Sequence, residues 1–171
     1  AGVRLDYDNC KLEFVDYRLC EFSDSHTEVL YDFTKPLQFN PCYGNTALYS
    51  TIWYVLSNVI KVVPESDKVL VQIFTDGQDN MSERYKSEAK SIIEQFNSRG
   101  WTVTFVGTKA DVEYVQYQLS IDASNTLVHD NTASGITRSF DTYLEATKSY
   151  TKNVARGKSV TTNFFKSTKN D

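Results

Sequence analysis

Cysteine is scarce: Cys10, Cys20 and Cys42 are the only three in 171 residues, and no two stand in a C-x-x-C pair. An odd number without paired spacing argues against a disulfide scaffold and against a cysteine-type zinc site, and it fits a reducing, intracellular compartment. Histidine is scarcer still, with His26 in a polar turn and His129 near a strand end, neither beside a nucleophile in a triad-like setting. No apolar run approaches the roughly 18 to 20 residues that cross a bilayer, and the opening Ala1-Gly2-Val3-Arg4 lacks a signal-peptide core, so the expectation is a soluble chain with no membrane partner. Clustered positive charge is also missing: 18 basic residues are scattered among 22 acidic ones, for a net charge of −4. That balance speaks against a nucleic-acid partner. There is no internal repeat and no low-complexity block.

What is present suffices for one core, since 40% of the residues are hydrophobic and 13% aromatic. Residues 12–22 and 28–33 read as two strands joined by the polar turn 23–26. Pro36 and Pro41 bracket a loop ending in Gly44-Asn45, after which Ala47, Leu48, Ile52, Val55, Leu56, Val59 and Ile60 recur at helical spacing, predicting a helix over 46–62. Pro64 ends it, and the apolar run 69–74 reads as a buried central strand. Beyond it, elements alternate: a helix beginning near Ser82 and stopped by Gly100, a strand over 101–107, a short helix over 111–119, a short strand over 126–129 and a last helix over 136–154. Strict alternation predicts an α/β fold, Rossmann-like and doubly wound, with a mostly parallel sheet, helices on both faces and one antiparallel edge strand, 28–33. The domain is expected over 1–157, with 158–171 a polar C-terminal tail, free or docked by Phe164 and Phe165.

In an open parallel sheet ligands bind beyond the carboxyl ends of the strands. Three segments are expected there: Gly44-Asn45-Thr46, Thr75-Asp76-Gly77 and Gly107-Thr108. A hydroxyl from Thr46 and a carboxylate from Asp76 would form part of an oxygen-only shell, which suits Mg2+ or Mn2+ better than zinc.

Gly44-Asn45-Thr46-Ala47-Leu48-Tyr49 followed by Phe74-Thr75-Asp76-Gly77-Gln78-Asp79-Asn80 resembles the second and third parts of the metal-ion-dependent adhesion site of von Willebrand factor type A domains. The likeness runs over residues 12–154 and is nearest in flavour to small bacterial and bacteriophage members. Thr46 and Asp76 match the family's threonine and distal aspartate. The family's Asp-x-Ser-x-Ser loop has no counterpart, because only eleven residues precede Leu12, where a strand, its loop and a helix would take about forty. The resemblance therefore implies a protein-binding module, not an enzyme, with a partial or degenerate site. Mg2+ or Mn2+ would be held weakly or not at all, and a protein partner would contribute an acidic side chain.

Asp79, Asp6 and Asp8 are further candidate ligands, and Tyr43, Asn45, Tyr49, Gln78 and Asn80 are candidate partner contacts. Two other readings stand beside this one. A structural or assembly protein, of a bacteriophage for instance, would keep the fold without the metal, and its location would be a virion rather than the cytoplasm. A haloacid dehalogenase-like phosphotransferase would use Asp6 of Asp6-Tyr7-Asp8 as nucleophile, but the hairpin before Asp76 and Asp79 gives the wrong strand order. Plainer roles exist as well: Asp79-Asn80 as a turn and helix start, Thr46 as a helix cap and Cys20 as a core residue. If no first strand is present, a gap should open beside residues 69–74, to be filled by residues 1–9, by the tail or by another chain.

Overall fold

The computed structural model describes residues 18–23, 26–30, 44–75 and 77–166. The first described elements are β1 (Arg18–Phe22) and β2 (His26–Leu30), an antiparallel hairpin in which Arg18 faces Leu30 and Phe22 faces His26. His26, expected in the turn, is thus a strand residue. The chain continues through α1 (Leu48–Val62), β3 (Leu70–Phe74), a 3-10 turn (Glu83–Tyr85), α2 (Lys86–Ser98), β4 (Thr102–Gly107), α3 (Lys109–Leu119), β5 (Thr126–Val128) and α4 (Ala133–Ala155).

Strands β3, β4 and β5 form a parallel sheet in that order, with Leu70 opposite Thr102 and Phe105 opposite Thr126. Two expectations are corrected. Among the described residues β3 is an edge strand and β4 is the central one. Every residue of β4 is buried, whereas of β3 only Ile73 is. The hairpin, moreover, is a two-stranded sheet of its own and not an antiparallel edge of the parallel sheet. Its link to the rest runs through α1: the Ser23 carbonyl accepts from the Ala47 N–H at 2.8 Å, and Phe22 packs against the main core.

The two faces of the parallel sheet carry different helices. Leu48, Ile52 and Leu56 of α1, Ala89, Ile93 and Phe96 of α2, and Val112, Val115 and Leu119 of α3 pack with Ile73, Val103 and Phe105. These positions recur at three- and four-residue spacing, which puts them on one stripe of each helix. The opposite face is covered by α4, where Tyr143, Ala146 and Tyr150 meet Leu70, Val106 and Leu127.

Local chemistry sets the helix ends. A capping box between Thr108 and Asp111 starts α3, and the Thr132 hydroxyl accepts from the Gly135 N–H to start α4 three residues earlier than the apolar pattern indicates. After α2 the chain turns at Gly100 with φ 72°, a left-handed conformation that costs glycine little.

Of the two fates open to the tail, its described part takes the docked one. Phe164 and Phe165 are buried in the α4-side core. The Asn125 side chain donates to the Thr161 carbonyl at 2.7 Å and accepts from the Phe164 N–H at 3.1 Å, while the Thr102 hydroxyl donates to the Val160 carbonyl at 2.7 Å. Among the described residues no helix is long and apolar enough to cross a membrane.

Candidate functional site at the carboxyl end of the parallel sheet

Helix α1 begins without a cap of its own. The position before it is Ala47, which has no side-chain acceptor, and its first turn contains no acidic residue. The first N–H groups of a helix need partners, and here they come from about thirty residues downstream. Asp79 Oδ2 accepts from the Tyr49 N–H at 2.9 Å, and Ser82 Oγ accepts from the Ser50 N–H at 3.0 Å. Asp79 also organises its own loop: Oδ1 accepts from the N–H groups of Met81 at 3.2 Å and Ser82 at 2.7 Å, and Oδ2 accepts a close hydrogen bond from the Ser82 hydroxyl. Each carboxylate oxygen therefore takes two donors, which fills the roughly four lone-pair sites a carboxylate offers.

Asn80 closes a second clasp between the same loops. Its side-chain oxygen accepts from the Thr46 N–H at 2.7 Å, and its backbone N–H donates to the Thr46 carbonyl at 3.1 Å. Gly77 lies directly under Thr46, so that a Cβ at position 77 would stand 3.0 Å from Thr46 Oγ1. The third segment is tied in through Thr75, whose N–H donates to the Val106 carbonyl at 3.2 Å. Gly107 permits that approach, since a Cβ there would lie 3.0 Å from the Thr75 carbonyl oxygen and 2.7 Å from a Phe105 ring carbon.

The structure thus brings Asn45, Thr46, Gln78, Asp79 and Asn80 to one end of the sheet. Thr46 is half-buried and does not cap α1; among the described residues its hydroxyl has no hydrogen-bond partner. Asn45, Gln78 and Asn80 are exposed. Tyr49 belongs elsewhere: it is fully buried, its hydroxyl donates to that of Tyr114 at 2.6 Å and the two rings stack. Burial, reinforced by that hydrogen bond, raises its phenol well above the ordinary tyrosine value. Helical phase explains the correction, because Tyr49 shares the core-facing stripe with Leu48, Ile52 and Leu56. Asp76, Asp6, Asp8 and Tyr43 lie outside the described residues.

No three His, Cys, Asp or Glu side chains converge among the described residues. Those residues do not fit a complete metal shell: Thr46 offers one hydroxyl, and the carboxylate of Asp79 is taken up by protein donors. What they present is a surface of neutral amides, able to donate and accept hydrogen bonds, with the exposed apolar side chain of Met81 beside it and the stacked pair Phe74 and Phe140 at the end of β3.

Sequence reasoning missed Ser82, which is buried, and it missed the long-range capping by Asp79. A signal was available: a strong helical pattern starting at an alanine, with no Ser, Thr, Asp or Asn at the cap position, must find its partners elsewhere. The chain matches no protein-family model, no curated protein and no solved structure.

Proposed function

We propose that this chain is a von Willebrand factor A-like protein-binding module with a degenerate metal-ion-dependent adhesion site, whose contact surface is the loop pair 44–47 and 75–82. The carrying observation is the double clasp, Asp79 onto α1 and Asn80 onto Thr46, which fixes the two loops to each other while Asn45, Gln78 and Asn80 stay exposed. Preorganised loops lose less entropy on association, and affinity gains from that. Thr46 and Asp76 are the positions at which Mg2+ or Mn2+ would be held and shared with an acidic side chain of the partner. With so few protein ligands the ion would stay mostly hydrated and weakly bound.

The saturated carboxylate of Asp79 favours a second reading, an assembly protein that keeps this fold and uses the same surface with no metal at all. One experiment addresses both. A photo-crosslinking residue replaces Gln78 or, as a control at the opposite end of the sheet, Ser66, and adducts are collected from the native cells or virions with and without a chelator. The module predicts one discrete adduct from position 78, absent from position 66 and lost in Asn80→Ala. Partial sensitivity to chelator favours the weak metal site, and complete insensitivity favours the assembly protein. Identical adducts from both positions would remove the surface from consideration, and an adduct that depends wholly on divalent ions would show a complete site.

A further inference from the structure

Trp53 of α1 is 38% exposed, yet its ring is fixed in place. It stacks on the Tyr85 ring with centroids 5.3 Å apart and planes inclined by 21°. The Arg84 guanidinium in turn lies 4.9 Å from the centre of the Tyr85 ring. An indole held in this way on the surface is an aromatic platform: large, apolar on its faces and already ordered, so that little freedom remains to be lost on binding.

The platform lines a groove of about 330 Å3 between α1 and α2, together with Ser87, Glu88, Ser91, Ile92 and Gln95. Ser87, Ser91 and Gln95 recur at four-residue spacing and so stand on one stripe of α2, about 12 Å from first to last. All three are exposed, as is Glu88, whose carboxylate accepts from the Ser87 hydroxyl at 2.8 Å. Ile92 is buried. The lining therefore combines one indole with two hydroxyls, one amide and one carboxylate, and it contains no basic side chain.

That chemistry selects the ligand. An anion would face the Glu88 carboxylate with no cation in the lining to offset it. A cation would meet the like charge of Arg84 on the same aromatic stack. A wholly apolar ligand would desolvate the hydroxyls, the amide and the carboxylate without pairing them. What fits is a neutral molecule with one apolar face and a rim of hydroxyls, and a pyranose ring has both. We propose that this groove binds a neutral saccharide of one or two pyranose rings, stacked on Trp53 and hydrogen-bonded by Glu88, Ser91 and Gln95. The carboxylate accepts from sugar hydroxyls, while the amide and the serine hydroxyl both donate and accept. The volume lies near the lower end of the roughly 300–1,000 Å3 usual for small-ligand sites. None of the six lining residues belongs to the loop pair 44–47 and 75–82, so the saccharide site stands or falls apart from the partner surface proposed above.

Amide chemical shifts of the full chain, followed during titration, test the assignment. The probes are glucose, galactose, mannose and N-acetylglucosamine and a disaccharide of each, at up to about 50 mM, which covers dissociation constants in the millimolar range. At least one should shift the Trp53 indole N–H and the backbone N–H groups of Ser91 and Gln95 saturably, while the indole of Trp101, which is fully buried, stays unmoved. Trp53→Ala should weaken that binding about tenfold or more, and Gln95→Ala about 3- to 10-fold, both read at the Ser91 N–H. Should Trp53→Ala unfold, Gln95→Ala decides alone. Affinity that rises from one ring to two supports a segment of a polysaccharide as the ligand, and equal affinity supports a free sugar. No saturable shift with any of the sugars would overturn the proposal, as would undiminished binding by the variants. Shifts of the same residues by tetramethylammonium but by no sugar would give the groove to a cation and refute it.

Discussion

Asp79→Ala removes the acceptor for four donors at once: the N–H groups of Tyr49, Met81 and Ser82 and the Ser82 hydroxyl. A hydrogen bond to a charged group contributes about 1.5–3 kcal/mol when its loss leaves the donor unsatisfied. The Met81 N–H is exposed and the other three are only partly buried, so water replaces much of what is lost and a simple sum overstates the cost. Loss of a helix cap by itself costs about 0.5–2 kcal/mol, and removal of a carboxylate from a helix N-terminus adds about 0.3–1 kcal/mol. A total of about 2–4 kcal/mol is expected, equivalent to a fall in Tm of roughly 5–15 °C for a chain of this size. Asp79→Asn, which keeps one acceptor oxygen and turns the other into a donor facing N–H groups, should fall between the two. Urea unfolding followed by tryptophan fluorescence gives the free energies, and amide exchange at Tyr49 and Ser50 locates the damage. A loss below about 0.5 kcal/mol would refute the capping role. So would a loss seen only when Mg2+ is present, since Asp79 would then act through a metal.

Gly77→Ala should cost about 1 kcal/mol through its contact with Thr46 Oγ1, and a double-mutant cycle with Thr46→Ala should recover part of that cost; strictly additive free energies would show that the two residues do not touch. Phe164→Ala should destabilise by about 3–5 kcal/mol because the ring is buried against Tyr143 and Tyr150, and a melting curve indistinguishable from that of the parent would mean the tail is not docked in solution. Burial raises the Tyr150 phenol from 10.0 to about 12, against a smaller opposing hydrogen bond with Thr102. The folded state therefore holds this proton more tightly than the unfolded one, and the stability it contributes is intact below pH 10 and lost as the pH rises toward about 12. Urea unfolding across that window should show a shallower decline for Tyr150→Phe, and parallel declines would contradict the assignment.

The periodic elements were legible in the sequence because the pattern that encodes them is local. The apolar recurrence of α1 and α2, the nearly unbroken apolar run of β3, interrupted by Gln72, and the alternation of strands with helices each lie within a dozen or so neighbouring residues, and burial of one face dictates them. The delivery of residues 77–80 to the same end as residues 107–108 followed from the same alternation, since parallel strands deliver their following loops to the same side, whereas residues 44–46, which come after the hairpin, are brought there by the bonds from Asp79 and Asn80. Other features depended on partners that sequence does not specify. Whether β3 is central or an edge is decided by what lies beside it, not by its own composition. Tyr49 and Asn45 look alike as polar residues near a crevice, but Tyr49 falls on the core-facing stripe of α1, against Tyr114, while Asn45 lies in the loop before the helix and is exposed. Asp79 reads equally well as a ligand or a turn former, because a carboxylate is available to a cation only when its lone pairs are free. Those of Asp79 are filled by donors that include the start of a helix thirty residues earlier in the chain, and only the folded arrangement of the two loops brings them together.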